Sequence, residues 1–127
     1  MPILQIHLPK SLENKIDKKQ IASALSSSLA ETIKSKIEDT KIYFHFIEEN
    51  NIFLANTCLA ESIEKAFTVL QVFILEGRNI EQKRNLVKSF TEHLEKLLNL
   101  NGKEIKIIIS DMKSSDYAIN GCLIQDK

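Results

Sequence analysis

The chain has 127 residues, 43% of them hydrophobic and 27% charged, which suits a single domain with one modest core. Seventeen basic residues balance seventeen acidic ones, so a net charge of zero gives no electrostatic footprint for nucleic acid or an anionic membrane surface. The longest apolar runs, such as Phe73-Ile74-Leu75 and Ile107-Ile108-Ile109, fall far short of the ~20 residues of a membrane span, and the opening lacks a secretion pattern; a cytoplasmic protein is expected.

In chain order, Leu4-Gln5-Ile6 lies in a period-two apolar run and predicts a strand. Ile21, Leu25, Leu29 and Ile33 follow at i+4 spacing, the stripe of an amphipathic helix. Ile42-Tyr43-Phe44-His45-Phe46-Ile47 reads as a second strand, ending before Glu48. Residues 58–66 contain neither glycine nor proline and read as a short linker with a helical turn. The pattern then repeats. Leu70-Gln71-Val72 matches the first strand at an offset of 66, and Leu86, Phe90, Leu94 and Leu98 match the helix stripe at an offset of 65. Asn101-Gly102 reads as the turn after that helix, and Ile105 to Ser110 as a last strand ending before Asp111, offset by 63 from the first half.

Each half is therefore β-α-β, and the predicted class is α/β (α+β): two fused units, residues 1–57 and 67–127, making one domain over 1–127. Neither unit buries much alone, so a four-stranded sheet with both helices on one face is expected. The strand runs are apolar on both sides, which predicts that other copies of the chain cover the second face.

The polar residues suggest little independent chemistry. His7, His45 and His93 share no ligand spacing, and Cys58 and Cys122 have neither metal spacing nor the numbers for a disulfide framework; no metal is expected. Glu48-Glu49 reads as a solvated strand end. Gly77, Gly102 and Gly121 are isolated from one another, so there is no phosphate-cradling loop.

Pro2-Ile3-Leu4-Gln5-Ile6-His7-Leu8 resembles the opening of 4-oxalocrotonate tautomerase. Leu70 to Arg78 with Glu81-Gln82-Lys83 resembles that family's strand-to-helix signature, and Ile107 to Met112 its second strand. Tyr117-Ala118-Ile119-Asn120-Gly121 is similar to its closing hairpin, and Asn51-Ile52-Phe53-Leu54 to a segment of the double-length cis-3-chloroacrylic acid dehalogenase group. The resemblance implies a fused tautomerase that assembles as a homotrimer, acts on a small carboxylate substrate and needs no cofactor.

It also implies roles. Pro2, freed by removal of Met1, is the general base, and Arg78 binds the substrate carboxylate. Lys106 stands where single-unit relatives carry a second arginine, Tyr117 aligns with a pocket-wall phenylalanine, and Phe53 is assigned the matching apolar role in the first half. Thr68 replaces proline in the second half, and Pro9-Lys10-Ser11-Leu12 lacks a counterpart of Arg78, so one site per chain draws on both halves. The expected reaction is keto-enol tautomerisation of a 2-hydroxy-dienoate or enol acid. Two alternatives stay open: a hydratase or dehalogenase of 3-haloacrylates, in which Asp111 activates water, and a non-catalytic oligomeric binding protein.

Overall fold

A computed structural model of the chain describes residues 1–61 and 67–127. Strand β1 (Ile3–Pro9) buries Leu4, Ile6 and Leu8 and turns Ile3, Gln5 and His7 to its other side. Helix α1 (Lys18–Ile33) starts where the Asp17 carboxylate accepts the Gln20 N–H at 3.1 Å, and stops at Lys34 in the left-handed region. β2 (Lys41–Ile47) and the small hairpin β3 (Phe53–Leu54) and β4 (Thr57–Cys58) complete the first half.

The second half repeats this with β5 (Thr68–Leu75), α2 (Ile80–Leu98), β6 (Ile105–Met112) and the hairpin β7 (Ala118–Ile119) and β8 (Cys122–Leu123). Asn79 and Gln82 form a reciprocal capping box at the start of α2. The helix ends at Asn99, two residues before the expected Asn101-Gly102 turn. Asn99 adopts φ 54°, which its short polar side chain tolerates, while Gly102 only opens a 3-10 turn.

The sheet order is β2-β1-β5-β6. The β1–β2 and β5–β6 pairs are parallel, and the central β1–β5 pair is antiparallel. Both predicted helix stripes are buried, and they form one core with Leu4, Ile6, Leu8, Leu70, Val72 and Ile74. Gln5 faces Gln71 at the centre of the β1–β5 ladder, so each residue of one half has its mate at the opposite end of the sheet. Ile3 pairs with Lys41 just as Val69 pairs with Lys106. The halves thus correspond here at an offset of 65, and the 63 inferred from the acids after the strands is corrected: sheet register, not the strand-ending acid, defines equivalence.

The other face of the sheet carries Ile3, Val69, Phe73 and the exposed Tyr43 and Ile108, interleaved with Gln5, Gln71, His7, His45 and Lys106. It is therefore more polar than the strand composition suggested. Cys58, assigned to the linker by sequence, instead ends β4 and is buried, and a 3-10 turn at Leu59–Glu61 follows. The 62–66 part of that linker lies outside the described residues.

Thr68, the mate of Pro2, is fully buried, and its hydroxyl donates to the His7 carbonyl at 2.8 Å. Replacing it with valine keeps the shape and removes the donor, so a loss of about 1 kcal/mol is expected in urea unfolding. An unchanged midpoint would show that this bond adds nothing to stability.

Candidate functional site

The antiparallel β1–β5 pair sorts the five sequence-assigned residues between the two ends of the sheet. Pro2 is buried just before β1 begins, with Ile3 paired to Phe73 near the end of β5. Arg78 follows that end through Gly77, whose φ of +116° is a turn geometry suited to glycine. Pro2 and Arg78 therefore belong to one end of a single chain. Tyr117 lies beyond the end of β6, where Met112 pairs with Leu75, so its hairpin leaves from this same end.

Lys106 and Phe53 are not brought there. Lys106 pairs with Val69, four residues from Phe73 along β5, which at the rise of a strand separates the two rows by roughly 13 Å. Its ammonium donates to the Lys103 carbonyl at 3.2 Å. Phe53 follows the far end of β2 and is 58% exposed. It is also not the mate of Tyr117. Leu59 N–H donates to the Ile52 carbonyl at 2.7 Å as Ile124 N–H donates to the Tyr117 carbonyl at 2.9 Å, which makes Ile52 the counterpart. Ile52 lines a small apolar cavity of about 90 Å³ at that far end, with His7, Leu8, Ile47, Phe67 and Val69.

At the Pro2 end the electrostatics are asymmetric. The chain's amino group, on Met1, has its pKa lowered from the ordinary value, first by burial and then by the charge of Lys41; Asp39 opposes this, and Arg78 adds to it. The Lys41 N–H donates to the Pro2 carbonyl at 3.1 Å. Neither Lys41 nor Asp39 was singled out from sequence. The available signal was the offset of 65 between Lys41 and Lys106, hidden when the strands were matched at 63.

Arg78 is half-buried. Nη1 donates to the Leu75 carbonyl at 2.9 Å and Nη2 to the Ile33 carbonyl at 3.4 Å, at the electronegative end of α1. These bonds fix the guanidinium while leaving other donors unused, and Arg78 has no ion pair among the described residues. Such a group is prepared to take an anion. Arg84, in contrast, is paired with Glu81 on the surface of α2.

Asp111, the water-activating candidate of the dehalogenase alternative, is held by Lys83 at 2.7 Å. The ammonium occupies the carboxylate as its ion-pair and hydrogen-bond partner. His7 bonds Gln71 at 3.2 Å and stacks on His45 with ring centroids 4.8 Å apart, on the sheet face rather than at the Pro2 end. Glu49 accepts the Ser11 N–H at 2.7 Å, which lowers its pKa from the ordinary value; it ties the far end of β2 to the turn after β1. Among the described residues no three His, Cys, Asp or Glu side chains gather as metal ligands, and no helix is long and apolar enough to cross a membrane.

Comparison with known proteins adds family and fold. A family described as tautomerase enzyme matches residues 39–120. A probable tautomerase of Staphylococcus saprophyticus is 39% identical over 59 residues, which are 46% of this chain and 97% of that protein. Among solved structures, native fused 4-OT is 21% identical with a TM-score of 0.88, the alignment covering 97% of this chain and 96% of that one. Another fused 4-OT, described as an asymmetric trimer, is 19% identical with a TM-score of 0.85 over the same shares. N1, described as a member of the cis-3-chloroacrylic acid dehalogenase family, is 17% identical with a TM-score of 0.79, covering 95% of this chain and 82% of its own. At these identities the structural likeness is one of fold.

Proposed function

Because the chain belongs to the tautomerase family, we propose that it is a cofactor-independent keto-enol tautomerase of a small 2-hydroxy-dienoate or enol carboxylic acid, with Pro2 as the proton-transferring base. The observation that carries this reading is that Pro2 and an anchored Arg78, without an ion pair among the described residues, belong to one end of one sheet. Removal of Met1 makes the Pro2 nitrogen a secondary amine. Burial and the flanking cations favour its neutral form, as they do for the amine of Met1.

Arg78 holds the substrate carboxylate and stabilises negative charge as it spreads over the dienolate. The neutral amine takes the enol hydroxyl proton, and the resulting ammonium returns a proton to carbon. Atoms and charge balance within the site, and no electrons leave the substrate. Tyr117 walls the pocket from the same end. On this reading Lys106 and Phe53 enter through assembly, a neighbouring copy of a homotrimer presenting its opposite sheet end; a fused 4-OT of the same fold is described as a trimer. The Lys83–Asp111 pair weighs against the dehalogenase alternative.

The test combines mass spectrometry with ketonisation assays on phenylenolpyruvate and 2-hydroxymuconate. Met1 should be absent and turnover measurable. Arg78→Ala is expected to lower kcat/KM by roughly 10²-fold or more, the size of a lost donor to a developing oxyanion. Arg78→Lys restores little, because an ammonium lacks the planar fork. Turnover that is indifferent to Arg78 would defeat the reading.

A further inference from the structure

Arg78 is held unevenly. Its Nη1 donates to the Leu75 carbonyl at 2.9 Å, an ordinary length. Nη2 reaches the Ile33 carbonyl only at 3.4 Å, beyond the usual range of about 2.7–3.2 Å for an N–H···O bond. One anchor is firm and the other is slack. The slack one belongs to the last residue of α1, and the chain from there to β2 runs between the two proposed site residues. Ile33 carries the bond to Arg78, and the Lys41 N–H donates to the Pro2 carbonyl at 3.1 Å.

Ser35 lies in this connection, two residues past Ile33 and just after Lys34, whose left-handed conformation turns the chain off the helix. Its backbone N–H donates to the Leu29 carbonyl at 3.4 Å. Its hydroxyl oxygen, in contrast, is buried without a hydrogen-bond partner, alone in this among the side-chain atoms of the described residues. Leaving a buried hydroxyl unpaired costs stability. The other repeat avoids that cost. Asn99 is left-handed as Lys34 is, and the residue after it, at the same offset of 65, is Leu100, which packs against the core. A leucine thus serves this corner at the far end, which has Thr68 in place of a base and no counterpart of Arg78. At the Pro2 end a serine with an idle hydroxyl occupies it.

We propose that Ser35 is a positioning residue for Arg78: its hydroxyl is the acceptor that Nη2 takes up when the guanidinium moves to grip a carboxylate. The inference rests on Arg78 being the group that holds the substrate. Two residues of chain span at most about 7 Å, so Ser35 stays in the neighbourhood of the donor it serves. Nη1 keeps its bond to Leu75, and the remaining N–H groups of the planar fork face the carboxylate as a pair. The unpaired hydroxyl destabilises the free protein and finds its partner in the complex, so serine at this corner exchanges stability for a firmer hold on the substrate.

The experiment pairs urea unfolding with kcat/KM for phenylenolpyruvate ketonisation in wild type, Ser35→Ala, Ser35→Thr, Arg78→Ala and the Ser35→Ala, Arg78→Ala double variant. Ser35→Ala removes a buried polar group that has no partner, so it should raise the urea midpoint by about 0.5 M while lowering kcat/KM about 10-fold. Ser35→Thr keeps the hydroxyl and should stay within a few-fold of wild type. Once Arg78 is alanine, Ser35→Ala should cost nothing further, because the guanidinium through which it acts is gone. A merely structural serine would lose stability and activity together. With Arg78→Ala impaired, an unchanged kcat/KM in Ser35→Ala overturns the inference and leaves the Arg78 reading standing; so does an equal loss with and without Arg78, or a fall in the midpoint. Turnover that is absent from wild type, or indifferent to Arg78→Ala, defeats the reading on which the inference rests and takes the inference with it.

Discussion

A chain carrying an uncleavable extension before Met1 is expected to lose roughly 10²–10⁴-fold of its kcat/KM toward an enol acid, the usual contribution of a positioned general base. The extension holds the Pro2 nitrogen permanently as an amide, whose lone pair is delocalised into the carbonyl and takes no proton. The fold gives little reason for other damage. Pro2 precedes β1, and its carbonyl bond to Lys41 is made by atoms the extension leaves alone. The same extension placed after Lys127 is the control for bulk. Pro2→Ala should fall between, because a primary amine remains at the position but without the ring that fixes it. Equal, measurable turnover by the amino-extended and wild-type proteins would remove Pro2 as the base, whereas no turnover by either would leave the oligomeric binding protein as the better account.

Phe90→Ala is expected to cost about 3–5 kcal/mol of stability, measured by chemical denaturation at fixed protein concentration. Phe90 is fully buried in α2, within the single core that the helix stripes form with β1 and β5. Truncation loses the transfer free energy of the ring and opens a cavity that helices facing a sheet close only in part. A domain of ordinary stability holds about 5–15 kcal/mol, so this one change takes a large share of it. Phe90→Leu fills most of the space and should cost much less. If assembly contributes to stability, the loss will depend on protein concentration, which is why concentration is held constant. A cost below 1 kcal/mol would mean that the core at Phe90 collapses freely.

The elements were readable because their signals are local. Leu86, Phe90, Leu94 and Leu98 line one face of a helix at any tertiary position, and the same four are buried in α2. Asn79 and Gln82 cap that helix through contacts spanning three residues. Register is not local in this way. The acids after Ile47 and Ser110 suggested an offset of 63, whereas the ladders pair Ile3 with Lys41 and Val69 with Lys106. A shift of two residues leaves side chains on the same face and is invisible to the hydrophobic pattern. That shift concealed Lys41 as the register mate of Lys106, bonded through its N–H to the Pro2 carbonyl, and one-residue slippage in the hairpin made Phe53 the apparent counterpart of Tyr117 in place of Ile52.

By itself the sequence determined two β-α-β units and the stripes that bury their helices, while Pro2 and Arg78 came forward through a family resemblance. The units and stripes follow from periods of two and 3.6, which need no knowledge of distant neighbours. Only the tertiary structure decided which end of the sheet each residue occupies. Because β1 and β5 run antiparallel about the Gln5–Gln71 pair, the start of one strand meets the finish of the other; Pro2 is thereby joined by Arg78, Lys41 and Asp39, while Lys106 and Phe53 go to the opposite end.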